Sequence, residues 1–364
     1  MVSFFITDIG IAAGESYLCS IMKIVIASDS YKGCLSSSEV AAAAGKAVRD
    51  VFPEAEVVKV AVADGGEGTV EALVDSLGGQ YTEASVSDPL GRKIRARYGI
   101  AGDLAIMEVA SACGLTLLRT EERNPLVTST RGVGEIILDA IGKGCKRFLV
   151  GLGGSATNDG GRGMVTTPGL LAAIEGKEFT VACDVDTPFI GDAGASRVFG
   201  PQKGATPEMV EILEQRLADY AEEIERQTGV DVRNLPGAGA AGGLGGAFKA
   251  FFNARLLPGV DMVLDAVGFD DLIEGADLVI TGEGRSDFQT AKGKTPSGVL
   301  ARASRKGIPT ALVSGAVSPC PELEAMGFKT ITAVTPSGQP LSEAMKPDVA
   351  AMNIARAVRS ILDL

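Results

Sequence analysis

The 364-residue sequence contains no histidine, and that gap alone removes several chemistries. Ser-His-Asp and Cys-His nucleophilic catalysis and His-ligated zinc are excluded. Any general base must be Asp, Glu or Lys, or less readily Tyr or Cys. No apolar run is long enough to span a bilayer. Basic residues are outnumbered, and the net charge of −12 argues against a general nucleic-acid binder, which needs a basic face. An anionic substrate would then need a local cluster of Lys, Arg or backbone N–H groups. The six cysteines, Cys19, Cys34, Cys113, Cys145, Cys183 and Cys320, form no CxxC pair. Without a secretory signal they read as free thiols in a reducing cytoplasm. The first 21 residues hold neither Lys nor Arg, and Asp8 interrupts their apolar part, so the basic n-region of a secretory signal is missing. Strand patterning starts abruptly at Met22. The expectation is that 1–21 is an extension, from a start codon placed too early; an edge strand or a loose arm is the other reading.

What is present is α/β patterning in a chain long enough for two domains. KIVIAS (23–28) suits a buried parallel strand. Ser36 and Glu39 make a capping-box pattern ahead of a helix. EVVKVAV (56–62) and a short helix follow, the signature of a doubly wound sheet. After Gly79 the pattern alternates more, and 81–110 reads as antiparallel strands of another layer. RFLVGLGG, FTVACDVD, DLVITGEG, PTALVSG and KTITAVTPS read as further strands. Thr206 and Pro207 open a long amphipathic helix closed by Gly229. Six candidate parallel strands come from the start, middle and end of the chain, so a second domain is inserted into a discontinuous first one.

The strand ends are small or polar, and ligands bind beyond the carboxyl ends of strands in open α/β sheets. GLGGSA is a poor dinucleotide fingerprint, because Ala156 replaces the third glycine and no helix opens there. AKGKTPSG is not a P-loop, since Phe288 stands where glycine is required. Lys294 nevertheless precedes a helix start, which is an anion-binding arrangement. Asp29, Asp64, Glu67, Asp159, Asp184, Asp186, Glu283 and Asp287 lie at or near strand ends. Such a set suits Mg²⁺ held with a nucleotide and an Asp base for a hydroxyl. Lys32, Lys203, Arg285 and Lys294 would offset phosphate or carboxylate charge.

DSYKGCLSS, ADGGEGT, DPLGR, TSTRGVGE, GLGGSATNDGG, ACDVDTPFIG, VFGPQKGATPE, GAAGGLGGA and TGEGRSDFQTAKGKTPSGV, in that order from Met22 onward, resemble the bacterial class I glycerate kinase family. The resemblance implies ATP-dependent phosphorylation of D-glycerate with Mg²⁺, 2-phosphoglycerate being favoured over 3-phosphoglycerate. It also implies a cytoplasmic enzyme and two unlike α/β domains around a cleft. One is Rossmann-like with a mainly parallel sheet (22–80, 122–160 and 262–364); the other is an inserted mixed-sheet substrate domain (81–121 and 161–261). The sequence departs from the family in three places. Between GGRGM and FTVACDVD it is shorter, Thr187 replaces a usual Asn, and Lys292 replaces a usual His. The short stretch 164–178 is expected near the substrate.

Within this reading Asp184 is expected to be the base, with Asp287 and Asp159 as rivals, and Lys32 and Lys294 to stabilise the transferred group. Gly153, Gly154, Ser155, Thr157, Asn158, Gly282, Glu283 and Gly284 are expected around the nucleotide phosphates. Ser30, Arg285 and Lys203 are expected on the substrate, with Arg285 gripping its carboxylate through the guanidinium fork. Asp64 and Glu67 are expected on Mg²⁺. Two other readings stay open: a kinase for another small hydroxy acid, and an inactive paralogue that binds nucleotide or metabolite for regulation.

Overall fold

A computed structural model describes residues 21–66 and 68–363. The expected extension therefore lies outside the described residues, Ile21 excepted, as does Glu67. Thirteen strands follow in chain order: β1 Lys23–Ser28, β2 Glu56–Ala61, β3 Gln80–Ser87, β4 Lys93–Ala101, β5 Leu104–Glu108, β6 Arg147–Gly151 and β7 Glu178–Ala182; then β8 Arg255–Leu257, β9 Leu278–Gly282, β10 Arg285–Ser286, β11 Thr310–Ser314, β12 Ala316–Val317 and β13 Thr330–Ala333. One sheet has the order β13-β11-β9-β1-β2 and is parallel throughout. A second has the order β3-β4-β5-β6-β7-β8. Its first three strands run antiparallel to one another, and β5 to β8 are parallel. The two remaining strands, β10 and β12, form a small parallel pair, and the fold is thus α/β, with one large parallel and one mixed sheet.

One assignment needs correction. RFLVG, within 122–160, was expected in the parallel sheet; it pairs with β5 and β7 in the mixed one. A continuous apolar run says that both faces are covered, without saying by which sheet. The cores are also less separate than an insertion suggests. In β1, Ile24 and Ile26 face the helices Ser37–Val51 and Pro347–Leu362. Val25 and Ala27 face the opposite way, into a cluster that also holds Leu104, Ile106, Leu149 and Ala182 of the mixed sheet. Helices Thr69–Ser76, Gly259–Ala266 and Thr295–Arg305 fill that shared middle layer. Arg302 ties two of them together, donating to Asp261 at 2.8 Å and Asp265 at 2.7 Å. The outer face of the mixed sheet packs on Arg131–Gly142 and Ala240–Phe252.

Local signals hold where they have a mechanism. Ser36 accepts from the Glu39 N–H at 3.3 Å and the Glu39 carboxylate accepts from the Ser36 N–H at 2.8 Å, closing the capping box before Ser37–Val51. Thr206 caps Pro207–Thr228, and Gly229 ends it in the left-handed region. The segment 237–247, expected as a glycine loop leading into a helix, has left-handed backbone at Ala241, Gly242 and Gly243, and regular helix follows to Phe252. A Cβ on Gly242 would lie 2.0 Å from the Thr157 carbonyl oxygen. Some of the glycine in both segments therefore serves backbone-on-backbone packing.

The short stretch 164–178 forms two brief helical turns, Arg162–Val165 and Leu170–Ala173. It sends Met164, Val165, Leu170 and Ile174 into the outer core beside Arg131–Gly142. No residue of it lines either of the two large cavities described below. Cys34, Cys113, Cys145, Cys183 and Cys320 are free thiols, and Cys19 lies outside the described residues. Among those residues no helix is long and apolar enough to cross a membrane.

Candidate active site

The loops after the parallel strands of both sheets enclose two adjoining cavities. The first, of about 590 Å³, lies between Gly65 and Gly66 after β2, Gly153 to Ser155 after β6, Cys183 to Val185 after β7, and Lys203. The second, of about 670 Å³, lies between Asp29 to Lys32 after β1, Glu283 to Arg285 after β9, and a wall from 334 to 350. Lys32, Asp64 and Lys294 line both. A crevice bordered by β1 and β9 is where a doubly wound sheet places a ligand.

Three carboxylates run along this junction. Asp29 accepts from the Thr295 hydroxyl at 2.7 Å and the Ser30 N–H at 2.6 Å. Burial, reinforced by the charges of Asp64 and Glu283, nevertheless lifts its carboxyl to about 6. Asp184 is open to the cavity and accepts from the Gly259 N–H at 2.8 Å. Loss of water in the cavity wall, with Asp64 adding repulsion, pushes its carboxyl above the usual range. Asp64 is thus close enough to act electrostatically on both neighbours. Among the described residues no group of three His, Cys, Asp or Glu side chains converges to hold a metal unaided.

Cations face these acids. Lys32 is exposed and has no ion-pair partner among the described residues. Lys294 is the N-cap of Thr295–Arg305, with its Nζ 3.5 Å from Glu283. Glu283 is buried, and its other oxygen accepts from Ser286 at 2.9 Å and Thr290 at 2.6 Å. Lys203 is also buried, donating to Ser155 Oγ at 2.9 Å and the Thr157 carbonyl at 2.6 Å. Burial pulls its ammonium down to about 8.

The expected site residues divide. Gly153, Gly154, Ser155, Lys203 and Asp184 line the first cavity; Ser30, Glu283, Gly284 and Arg285 line the second. The three residues expected on the substrate therefore do not converge, because Lys203 is on one side of the junction and Ser30 and Arg285 on the other. Arg285 is 69 % exposed, with its Nε 3.8 Å from Asp287. Thr157, Asn158, Gly282, Asp159 and Asp287 line neither cavity. Asn158 donates to Ser196 at 3.0 Å. A Cβ on Gly282 would lie 1.8 Å from the Val313 carbonyl oxygen, so strand packing explains that glycine. Asp287 accepts from the Gln289 N–H at 2.9 Å within its own turn. Glu67 lies outside the described residues. Two contributors were given no individual role from sequence: Asp29, named only within the strand-end acidic set, and Lys292, which stands in the wall of the first cavity.

Asp159 organises chain rather than chemistry. Its Oδ2 accepts from the Thr130 N–H at 2.8 Å, the Thr130 hydroxyl at 2.9 Å and the Gly163 N–H at 3.1 Å. Its Oδ1 accepts from the Gly161 N–H at 3.1 Å. Asp159→Ala strands these donors, and each buried unsatisfied group costs about 1–3 kcal/mol. The expected result is a loss of at least about 3 kcal/mol in urea unfolding; a loss under about 1 kcal/mol contradicts the structural role.

A model of the glycerate kinase family matches residues 24–173 and 165–364, so the match breaks and resumes within the short connection. The chain is 41% identical to the glycerate kinase of Bacillus subtilis, covering 93% of this chain and 97% of that protein. It is 44% identical to the glycerate 2-kinase of Escherichia coli, with the same coverage. Both alignments run over 371 positions, more than the chain has residues, so the relatives carry residues it lacks. A crystal structure from Salmonella typhimurium LT2, named for a glycerate kinase 2, superposes with a TM-score of 0.84 at 40% identity, over 94% of this chain and 98% of that one.

Proposed function

The chain belongs to the glycerate kinase family, and we propose that it transfers the terminal phosphoryl group of ATP to the 2-hydroxyl of D-glycerate. The name of the E. coli relative, glycerate 2-kinase, supports the position. The observation that carries the reading is the pair of cavities meeting at Lys32, Asp64 and Lys294. Two reactants can approach one charged point from opposite sides there.

Phosphoryl transfer asks mainly for positioning and charge neutralisation. The substrate hydroxyl oxygen forms the new bond to phosphorus, the bond to the β-phosphate oxygen breaks, and ADP leaves. The hydroxyl proton passes to Asp184, which alone among the three candidate aspartates lines a cavity. Lys32 and Lys294 draw charge from the transferred group. Mg²⁺ is usually held by one or two carboxylates and the substrate phosphates. Asp64 fits such a partial site, since it is a carboxylate that lines both cavities at their junction. The ion would supply charge neutralisation. The parallel and mixed sheets would form two units facing this cleft, in a cytoplasmic enzyme.

The test is incubation with ATP, Mg²⁺ and D-glycerate, with the product identified by phosphorus NMR. The expected product is 2-phosphoglycerate, formed only while Mg²⁺ is present. Formation of 3-phosphoglycerate alone overturns the regiochemistry, and no phosphoglycerate overturns the activity. The short stretch 164–178 gives no support to a different hydroxy acid, because it does not reach the large cavities.

A further inference from the structure

We infer that the two cavities divide the reactants: the second takes the adenosine of the nucleotide, and the first takes glycerate. The inference rests on the kinase reading and assigns its subsites. It differs from the sequence expectation, which put the nucleotide phosphates at Gly153, Gly154, Ser155, Thr157, Asn158, Gly282, Glu283 and Gly284 and the substrate at Ser30, Arg285 and Lys203, on both sides of the junction.

Three observations carry it. First, the base fixes the side of the acceptor. Asp184 lines only the first cavity, so the hydroxyl that yields its proton must lie there. In an in-line displacement the leaving group departs on the side away from the attacking oxygen. With Lys32, Asp64 and Lys294 at the junction, ADP belongs in the second cavity.

Second, the part of the second cavity's lining drawn from 334 to 350 is largely apolar: Val334, Leu341, Ala344, Met345 and Ala350 stand there with Thr335. Leu341 is 69% exposed and Met345 38%, so large apolar side chains stand uncovered at its rim. A purine has two flat apolar faces to offer them. Pockets of this volume, with apolar walls and a few polar groups at one end, are the ordinary form of a nucleotide-sized site.

Third, the charges differ. The first cavity presents Lys32, Lys203, Lys292 and Lys294 against Asp64 and Asp184. That excess suits a carboxylate and an incoming phosphoryl group. In the second, Lys32, Arg285 and Lys294 are balanced by Asp29, Asp64 and Glu283. Lys203 then acts through Ser155, whose hydroxyl it holds at 2.9 Å, as a positioning residue for the glycerate pocket.

The binding arm of the test is calorimetric, so that arm needs no turnover. Leu341→Asp alters an exposed side chain at the rim, and Ala344→Phe fills the cavity itself. ADP and inorganic tripolyphosphate are titrated into each, with Mg²⁺, and the KM for D-glycerate is measured in parallel. Both variants are expected to weaken ADP about tenfold or more, while tripolyphosphate affinity and the glycerate KM stay within about twofold. Leu341→Asp carries the test if Ala344→Phe fails to fold. Unchanged ADP affinity in the folded variants, or a shift in glycerate KM in place of ADP affinity, overturns the assignment. If the unaltered protein binds ADP and the variants do not, but no glycerate is phosphorylated, the adenosine subsite stands and the kinase reading falls.

Discussion

Asp184→Asn is expected to lower kcat by about 10²–10⁴-fold, the usual cost of removing a positioned base, while ADP affinity is retained. With no histidine in the chain, a carboxylate is the natural proton acceptor, and a free Asp titrates near 4. The cavity wall pushes Asp184 above that range, which makes it a stronger base than a free carboxylate. Its orientation is fixed by backbone. Oδ1 accepts from the Gly259 N–H at 2.8 Å. Gly259 in turn packs so tightly that a Cβ there would lie 2.1 Å from the Asp64 carbonyl oxygen. Asn keeps the acceptor for Gly259 and loses only the charge. The check is steady-state kcat beside ADP titration. Near-normal turnover in Asp184→Asn, with collapse in Asp287→Asn, would move the base to the other loop. Asp287 is expected to tolerate Asn within a fewfold, because its carboxylate serves its own turn and its distant arginine.

The parts legible from sequence are those whose cause is local. Ser36 with Glu39, and Thr206 with Gly229, state their own hydrogen bonds within a few residues. The alternation after Gly79 marks antiparallel strands because a half-covered face leaves a period of two. RFLVG was placed in the wrong sheet because its apolar run records that it is covered, and the covering partners are remote. The glycines of 151–161 and 237–247 look like ligand loops, but Gly242 is required by the Thr157 carbonyl, 85 positions away in neither motif's own pattern. Asp159 illustrates the same limit. A carboxylate after a glycine loop reads alike whether it accepts a substrate proton or four donors from its own chain, and only the position of Thr130 decides. The charged junction was legible as a set of residues at strand ends, although Asp159 and Asp287 of that set serve their own chain. Its division into two sides was not, because it depends on which loops meet across the middle helices.

Asp29→Asn is expected to stabilise the metal-free and nucleotide-free protein. In the folded chain this carboxyl is lifted from 3.8 to about 6, chiefly by burial and further by Asp64 and Glu283. The folded state therefore holds the proton more tightly than the unfolded state does. The stability tied to this group is fully present below about pH 4 and is lost as pH rises through 6. At pH 7 the ionised carboxylate costs on the order of 3 kcal/mol by that difference. Asn removes the charge, but one of its two polar atoms is a donor, facing either the Ser30 N–H or the Thr295 hydroxyl. The hydroxyl can turn to accept, so the net gain is expected to be smaller, about 1–2 kcal/mol. Thermal unfolding in chelator should show Asp29→Asn above the unaltered protein at pH 7, and the gap should close as pH falls to 5. A lower Tm for the variant at pH 7, or a gap that widens toward acid, would mean that Asp29 is held by favourable bonds and not against repulsion. Adding Mg²⁺ and ATP should raise the Tm of the unaltered protein more than that of the variant, because the bound charge relieves the same repulsion that Asn has already removed.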